Sequence, residues 1–352
     1  MKMKSNTHVF ICLALVCWLA YAILSFIKVD QMSVLVRGSR NTLMAEQSGN
    51  TKHEEKRKSE SESAQQWTLP DRLAEAVLIA TSLKSTGSYM QLVCPPTHHL
   101  GDRPGDHTPN LVGSPCEAWQ KRELAEVLWH VVDSDMVGLE WSSGSGTSWL
   151  LRRGMTMHSV EHCEPWLTDI SAKLKNIGIN ASRWFPHHVA RSDGNGCSQE
   201  LENHWPTMEK IFGEYARYPR EHLLSQYAPD GFDLVEVDGR FRDGCLVQAA
   251  SLHNASEPML LKPTYGMLLL DNSERAIYTK ASQLPSHWLV VSFANNIGET
   301  TLWMSCPTKE DAACTRARRK IAQLMATVPN QSVGHWYKEH MARSKRDGVP
   351  GA

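Results

Sequence analysis

The chain has 352 residues, of which 41% are hydrophobic and 21% are charged, and its formal net charge at pH 7 is −1. This length is typical of one domain with appendages, or of two domains at most. The apolar fraction is enough for a sizeable core. Because the net charge is close to zero, bulk electrostatics favour neither nucleic acid nor an acidic partner, and we expect no nucleic-acid ligand.

The first hydrophobic segment, residues 9–27, carries no charge and is long enough to cross a membrane as one helix. We therefore predict a cytoplasmic tail over residues 1–8 and a transmembrane signal anchor over residues 9–27. The main domain of this single-pass protein would lie in the lumen of the Golgi or the endoplasmic reticulum. A cleaved signal peptide ending near Ala22 is the alternative, and an anchor with a cytoplasmic domain is a third. The apolar run continues past Ala22, which favours the uncleaved anchor.

Composition divides the rest of the chain into four parts. Residues 28–66 are rich in charge and serine, and they have too few apolar side chains to offset the entropy of ordering, so we predict a disordered stem. Residues 67–135 are predicted as an N-terminal helical and loop extension, residues 136–305 as the main domain, and residues 306–352 as a basic C-terminal helix and tail. The basic run from Arg316 to Lys320 predicts a solvated helix face, with contact to an anionic glycan or membrane surface as the alternative.

The cysteines indicate disulfides rather than a metal site. Cys94 with Cys116, and Cys306 with Cys314, are candidates for loop-closing disulfides in an oxidising compartment. The chain has no CxxC pair, so a structural zinc site has little support. Three sequons permit N-glycosylation, and they begin at Asn180, Asn254 and Asn330.

The predicted elements alternate between strand and helix once the extension has ended. Apolar residues at steps of three and four predict two helices in the extension, over residues 71–83 and 118–132. The alternation that follows predicts a mostly parallel sheet with helices on both faces and a C-terminal antiparallel hairpin. Strands are predicted at residues 136–141, 156–161, 182–189, 232–237, 267–270, 288–293 and 300–304, with helices at 147–153, 165–177, 240–253 and 275–282.

Acidic residues lie at the ends of four of these strands, where ligands of parallel sheets bind. The first strand is also followed by glycines that let the backbone pass close to a ligand at a helix N-terminus. Taken singly, each acidic residue has an ordinary alternative: a backbone contact, a turn or a helix cap. Their ordered series favours a ligand site. The acidic residues are Glu140, Glu161, Asp238 and Asp271, and the glycine cluster is Gly144-Ser145-Gly146.

At this point the sequence resembles the class I S-adenosylmethionine-dependent methyltransferases. The resemblance implies a Rossmann-like methyltransferase fold and S-adenosyl-L-methionine as cofactor. It implies that Gly144, Ser145 and Gly146, with Glu140 beside them, line the methionine part of the cofactor, that Glu161 holds the ribose, and that Asp193 approaches the adenine. The stretches that look like the successive motifs are VGLEWSSGSGTSWLL (137–151), HSVEHCEPW (158–166), FDLVEVDGRFRDGC (232–245) and MLLLDNSERAIY (267–278).

The reaction suggested by the resemblance has a metal-dependent and a metal-free version. Asp238, Asp271 and Asn272 are similar to the Mg²⁺ ligands of catechol-type O-methyltransferases, in which the metal orients and acidifies a hydroxyl. Those enzymes place a catalytic lysine shortly after the first aspartate, where this chain has Gly239, Arg240 and Phe241. Without a metal, Asp238 or His162 would act as the general base.

The expected function is therefore O-methylation of a hydroxyl on a glycan or other secretory-pathway acceptor, or on a small molecule. Trp149 stands where a nicotinamide-binding fingerprint has its third glycine, which argues against a dehydrogenase. Two alternatives stay open: a Golgi type II glycosyltransferase and a catalytically inactive methyltransferase-like binding protein. The glycosyltransferase would need a well-placed Asp-x-Asp motif, but Asp133-Ser134-Asp135 precedes the first strand instead of ending it.

Overall fold

A mixed sheet of seven strands organises the part of the chain that the computed structural model describes, which is residues 67–82, 122–176, 178–179, 181–197, 205–254, 256–275, 277–294 and 298–352. Five strands run parallel, and the sixth and seventh form an antiparallel hairpin. The strand order is β3-β2-β1-β4-β5-β7-β6. The strands are β1 (Val137–Trp141), β2 (Thr156–Glu161), β3 (Trp184–His188), β4 (Leu234–Val237), β5 (Met267–Asp271), β6 (Leu289–Ala294) and β7 (Glu299–Met304).

This sheet confirms the predicted fold class, a Rossmann-like methyltransferase fold. The central strands β4 and β5 are buried along their whole length, as expected for parallel strands covered by helices on both faces. The helices are α1 (Leu69–Ser82), α2 (Arg122–Val131), α3 (Ser145–Arg152), α4 (Glu164–Asn176), α5 (Trp205–Tyr218), α6 (Leu224–Tyr227), α7 (Arg242–Ala250), α8 (Ala312–Met325) and α9 (His335–Arg346), with short 3₁₀ or π turns at Ala181–Arg183, Pro219–Leu223, Thr279–Gln283 and Asn330–Ser332.

The insertion between β3 and β4 was not predicted from the sequence. It contains α5, a π turn and α6, and α5 packs on the sheet through Met208, Phe212 and Tyr215. These residues are spaced at steps of four and three, so an amphipathic pattern was present in the sequence. The predicted helix over 275–282 is also shorter than expected, since only the 3₁₀ turn Thr279–Gln283 forms.

The N-terminal extension and the basic C-terminal helix pack on each other within one compact unit that begins at Trp67. Arg316 in α8 lies 3.1 Å from Asp71 in α1. Arg318 is only 2% exposed, and its guanidinium donates to the carbonyl oxygens of Pro350 and His287. Arg316 and Arg319 are exposed, as expected for a solvated helix face, whereas Arg318 is an exception that the Pro350 and His287 segments cover.

Two disulfides link described cysteines. Cys306–Cys314 confirms the sequence-based pairing, and it closes a loop just before and into α8. Cys163–Cys197 was not predicted, and it joins the start of the α4 region to the loop after β3. Cys245 is free and buried. The predicted Cys94–Cys116 pair lies outside the described residues.

The predicted membrane topology is contradicted. Within the residues that the structure describes, no helix combines the length and the apolar character needed to cross a membrane. The predicted tail over 1–8, the anchor over 9–27 and the stem over 28–66 lie outside the described residues. The assignment of the main domain to the lumen of the Golgi or endoplasmic reticulum depended on that anchor and is withdrawn.

Candidate functional site at the carboxyl edge of the sheet

The carboxyl ends of β1, β2, β4 and β5 meet at one edge of the sheet and bring the predicted acidic residues together. The backbone N–H of Asp238 donates to the carbonyl oxygen of Trp141 at 3.3 Å, which joins the ends of β4 and β1. The charges of Asp238 and Glu161 both act on Glu140, and Asp271 acts on Asp238. Four carboxylates from four strands therefore share one electrostatic environment.

Glu140 lies at the centre of this edge and is almost fully buried. One of its oxygens, Oε1, accepts hydrogen bonds from Thr147 Oγ1 at 2.6 Å and from Ser159 Oγ. Burial raises the pKa of Glu140 to about 8, and the neighbouring carboxylates of Asp238 and Glu161 add to this effect. The site therefore holds a carboxyl group that a cationic ligand would convert to its charged form.

Sequence reasoning did not identify the two hydroxyl donors. Ser159 is the direct partner of Glu140 in the parallel register of β1 and β2. Thr147 lies on α3, and its Oγ1 also accepts a hydrogen bond from the backbone N–H of Gly144 at 2.8 Å. Thr147 therefore connects the glycine loop to Glu140, and only the register and the turn of α3 reveal this connection.

The glycine loop, residues 144–146, borders open space in which a ligand could lie. Ser145 begins α3, and Gly146 is buried in its first turn. A Cβ built on Gly144 would meet no atom within 4 Å, so the loop faces open space. Beside it, Ser143 Oγ is buried and has no hydrogen-bond partner among the described residues. An open backbone next to an unsatisfied hydroxyl fits a polar ligand lying against the start of α3.

Glu161 ends β2 and is held by its own loop. Its Oε1 accepts hydrogen bonds from the backbone N–H groups of His162 at 2.8 Å and Cys163 at 3.0 Å. His162 Nδ1 lies 2.8 Å from the same oxygen, and the His162 ring packs edge-on against Phe212 and Tyr215. These contacts orient the carboxylate through Oε1, and the Glu161 side chain is only 2% exposed.

Asp193 lies in the loop after β3, where its carboxylate is bound by protein donors. Arg191 donates to both Asp193 oxygens, at 3.0 and 2.6 Å, and Asn195 donates from its backbone and its side-chain amide. The Arg191 hydrogen bond is the main reason that the pKa of Asp193 falls to about 2. The Cys163–Cys197 disulfide ties this loop to the end of β2.

The three residues of the predicted Mg²⁺ set also have protein partners. Asp238 Oδ1 forms an ion pair with Arg242 at 2.6 Å. Asp271 Oδ1 accepts a hydrogen bond from Thr300 Oγ1 at 2.6 Å, and Asn272 Oδ1 accepts one from Arg275 at 3.2 Å.

Arg242 carries the positive charge at this point of the site. Its guanidinium also donates to the carbonyl oxygens of Gly239 at 3.1 Å and of Asp271. No group of three or more His, Cys, Asp or Glu side chains suited to a metal occurs in the described ranges. The positive charge beside Asp238 is therefore the Arg242 guanidinium, and the described residues give the predicted Mg²⁺ site no support.

A cavity of about 690 Å³ opens beside this edge. Four segments form it: the loop after β4 with the start of α7, the turn after α7, the segment after β5 and the first turn of α5. The sequence did not reveal this cavity, because α5 was not predicted. Arg240 was noted only as standing where catechol-type O-methyltransferases have a catalytic lysine. The lining residues are Trp205, Met208, Gly239, Arg240, Phe241, Arg242, Asp243, His253, Arg275, Ile277, Tyr278, Thr279 and Lys280.

Comparisons with known proteins give only distant similarities. No family model and no curated protein matches the chain. Among solved structures, a methyltransferase-like protein from Silicibacter pomeroyi is 17% identical, covers 60% of this chain and 97% of its own length, and has a TM-score of 0.35. A putative O-methyltransferase from Klebsiella pneumoniae is 12% identical over 71% of this chain and 95% of its own, with a TM-score of 0.31.

A third similar structure contains the cofactor that the sequence resemblance implies. Fibrillarin from Aeropyrum pernix, in complex with S-adenosyl-L-methionine, is 12% identical over 49% of this chain and 66% of its own, with a TM-score of 0.30. At such identities and TM-scores these similarities carry no conclusion about function. The fold assignment rests on the strand order and directions of the sheet itself.

Proposed function

We propose that the chain is an S-adenosylmethionine-dependent methyltransferase that methylates a hydroxyl group of a small-molecule or glycan acceptor. One observation carries the proposal: an open glycine loop and the carboxyl groups of Glu140, Glu161 and Asp238 lie at one edge of the sheet, with a cavity alongside. A parallel sheet places its ligands at this edge.

Each of these residues has a distinct role in the proposal. Glu140 would lose its proton and pair with the cationic methionine part of the cofactor. The backbone around Gly144 would lie against the same part, and Glu161 would accept the ribose hydroxyls. Bound S-adenosylmethionine would supply a methyl group attached to a positively charged sulfur. His162 is a positioning residue, since it holds Glu161 and is packed behind Phe212 and Tyr215.

Asp238 is the proposed general base. Its side chain is 37% exposed, and Arg242 holds it through Oδ1, so Oδ2 can face an acceptor hydroxyl. Desolvation by the surrounding protein raises the pKa of Asp238 despite the opposing charge of Arg242, and so brings it towards neutral pH. Asp238 would accept the hydroxyl proton of the acceptor, whose oxygen would receive the methyl group, and S-adenosylhomocysteine would leave with the electron pair of the former carbon–sulfur bond.

The structural surroundings do not favour the glycosyltransferase alternative. Asp133 of the Asp-x-Asp motif lies before β1, away from the carboxyl edge, and its carboxylate is bound by Arg72, with one N–O distance of 3.1 Å. A nucleotide-sugar metal site at that position would have to displace this arginine.

Thermal unfolding of the full chain with and without S-adenosylhomocysteine tests the proposal. Ligand at about 100 times its dissociation constant adds roughly 2.7 kcal/mol, which corresponds to a rise of about 5 °C or more in a protein of this size. Gly144→Trp should abolish the rise, because the new side chain would fill the open space in front of the loop.

Gly144→Ala is the matched control, because its Cβ meets no atom within 4 Å and the fold should keep its unfolding temperature. Absence of any ligand-induced rise in the folded wild-type protein, at millimolar ligand, would refute the proposed cofactor.

A further inference from the structure

We infer that the cavity beside the carboxyl edge binds an acceptor that carries a negatively charged group on a six-membered ring, either aromatic or sugar. The inference names the substrate class of the proposed methyl transfer and therefore rests on that function. It comes from the charges and the aromatic side chains that line the cavity, none of which was predicted from the sequence as a site residue.

The charged side chains of the cavity are strongly unbalanced. Among the described residues, four lining side chains are cationic and Asp243 is the only lining carboxylate. That carboxylate is already bound, since it accepts hydrogen bonds from the backbone N–H of Lys280 at 3.0 Å and from the backbone and hydroxyl of Thr279 at 3.1 Å. The cationic residues are Arg240, Arg242, Arg275 and Lys280.

Among the described residues, only one of these cations forms an ion pair with a carboxylate. Arg242 pairs with Asp238 at 2.6 Å. Arg275 donates to the neutral side chain of Asn272 at 3.2 Å. Within the residues that the structure describes, neither Arg240 nor Lys280 forms an ion pair.

Like charges that line one concave surface repel each other and create a positive potential that an anion would relieve. Arg240 and Lys280 are half-buried, so solvent screens their charges less than it would at an open surface. An acidic group on the ligand is the natural counter-charge, and arginine and lysine bind carboxylate, sulfate and phosphate through charge-assisted hydrogen bonds.

The apolar part of the cavity is a wall of aromatic rings. The Trp205 and Phe241 ring centroids lie 4.8 Å apart, and Lys280 Nζ lies 5.2 Å from the Trp205 centroid. On the other side, the Arg242 guanidinium lies 5.5 Å from the Tyr278 ring. Flat rings with cations above them suit a ligand that presents both a ring face and an anionic substituent.

Phe241 is held in an unusual conformation that positions this wall. Its φ is 51°, in the left-handed region that non-glycine residues rarely adopt. Its ring lies directly over Gly244, where a Cβ would come within 2.1 Å of Phe241 Cε1. The strained backbone and the missing side chain at position 244 together direct the ring to the cavity, as strain at functional sites commonly does.

The cavity adjoins the proposed cofactor site through Gly239. A Cβ on this residue would lie 2.9 Å from the carbonyl oxygen of Trp141 and 2.2 Å from Tyr215 Oη, so the loop after β4 passes tightly over the end of β1. Asp238, the proposed base, immediately precedes it. Asp238 forms an ion pair with Arg242, which lines the cavity, so the proposed base is held beside one of the lining residues.

Isothermal titration of the full chain with matched acid and neutral probes tests the inference. The aromatic pair is 3,4-dihydroxybenzoate with 3,4-dihydroxybenzamide, and the sugar pair is glucuronate with methyl glucoside, so the two arms distinguish the source of the acidic ring. In at least one pair the acid should bind about tenfold more tightly than its neutral partner, as expected for one charge-assisted hydrogen bond.

Variants then locate the binding. Arg240→Gln and Lys280→Gln should each weaken the preferred acid by about tenfold while leaving affinity for S-adenosylhomocysteine unchanged. Arg319→Gln, which removes an exposed cation of α8 away from the cavity, should have no effect on either ligand.

The outcomes separate the inference from the proposed function. Equal binding of acid and neutral partner in both pairs, or wild-type acid binding in both cavity variants, would overturn the inference even if S-adenosylhomocysteine binds. Acid binding that depends on Arg240 and Lys280, in a protein that does not bind S-adenosylhomocysteine, would keep the anion site and refute the methyltransferase function.

Discussion

The two halves of the carboxyl edge differ in the charged groups that they contain. Over β1 and β2 the ionisable side chains include the carboxyl groups of Glu140 and Glu161, which are held by hydroxyl and backbone donors. Over β4 and β5 the carboxylates of Asp238 and Asp271 are accompanied by arginines, a lysine and aromatic rings around a cavity. In the proposed function, the positively charged methyl donor would lie on the first half and the acidic acceptor on the second.

The halves also differ in how their backbone is secured. The half over β1 and β2 is closed by a disulfide that joins Cys163 to Cys197. The half over β4 and β5 is secured by close packing, because Gly239 and Gly244 allow Trp141, Tyr215 and Phe241 to approach. Changes to the half over β1 and β2 should therefore affect different properties from changes to the half over β4 and β5.

Removal of the Cys163–Cys197 disulfide should have the largest effect on stability. The bridge closes a loop with a sequence separation of 34 residues, and loss of such a bridge costs about 3–4 kcal/mol by the chain-entropy estimate. The Cys163→Ser/Cys197→Ser protein should also bind S-adenosylhomocysteine more weakly, because the loops after β2 and β3 lose their link. Chemical denaturation and titration measure the two effects.

Cys306→Ser/Cys314→Ser is the matched control for this experiment. Its sequence separation is only 8 residues and it lies away from the edge, so we expect a smaller loss of stability and unchanged ligand affinity. Equal loss of affinity in both double variants would show that the disulfide near the site has no local role.

Gly239→Ala, in the half over β4 and β5, should lower the free energy of unfolding by about 1–3 kcal/mol. The new Cβ would overlap Tyr215 Oη and the carbonyl oxygen of Trp141. Gly144→Ala, in the half over β1 and β2, should change the unfolding temperature little. Thermal unfolding without ligand compares the two. Similar unfolding temperatures for both variants would contradict the distinction between a packed and an open glycine.

Glu140→Gln should change how stability depends on pH. Burial raises the pKa of Glu140 from its ordinary value of 4.5 to about 8. Below pH 4.5 the group is protonated in both states. Between pH 4.5 and 8 the unfolded chain releases the proton and the folded protein keeps it, so wild-type stability falls as pH rises through this window. Glu140→Gln has no titrating carboxyl group at this position, so its stability does not fall in this way.

The unfolding temperature of Glu140→Gln relative to wild type should therefore increase by several degrees from pH 5 to pH 8. Thr147→Val serves as a comparison, because it removes a hydrogen bond to Glu140 and leaves the carboxyl group in place. A constant difference between Glu140→Gln and wild type across this pH range would mean that Glu140 titrates normally.

Salt concentration should have the smallest effect, and its effect on ligand binding should differ between the two halves of the carboxyl edge. Binding of an acidic probe at Arg240 and Lys280 should weaken about threefold between 0.05 and 0.5 M NaCl, because added ions screen partly exposed charges. S-adenosylhomocysteine binding should change less, since Glu140 is almost fully buried. Titrations at the two salt concentrations provide the comparison, and an equal salt dependence would contradict it.

The half over β1 and β2 was largely predictable from the sequence, and the half over β4 and β5 was not. The glycine loop and Glu161 follow apolar strands directly, so their approach to one edge follows from strand direction alone. The cavity needs Trp205, the first residue of α5, and α5 belongs to the insertion between β3 and β4. Its partners Arg240 and Lys280 come from the loop after β4 and the segment after β5, and local patterns do not show that these segments meet.

The same limit explains the other differences between prediction and structure. Asp238, Asp271 and Asn272 have the composition of a Mg²⁺ site, but Arg242, the first residue of α7, forms an ion pair with Asp238. Cys163 and Cys197 can pair because β2 and β3 are neighbouring strands, which brings the loops after them together. The separation of the two cysteines in the sequence does not reveal this proximity.

The sequence by itself determined the alternation of strands and helices, the parallel sheet with its final hairpin, and the row of acidic residues at one edge. These features depend on local apolar periodicity and on residues directly adjacent to strands. Only the tertiary structure decided which charges are neutralised, which cysteines pair and where the cavity lies. Those properties depend on distances between segments far apart in the chain, and electrostatic and packing energies are set by such distances.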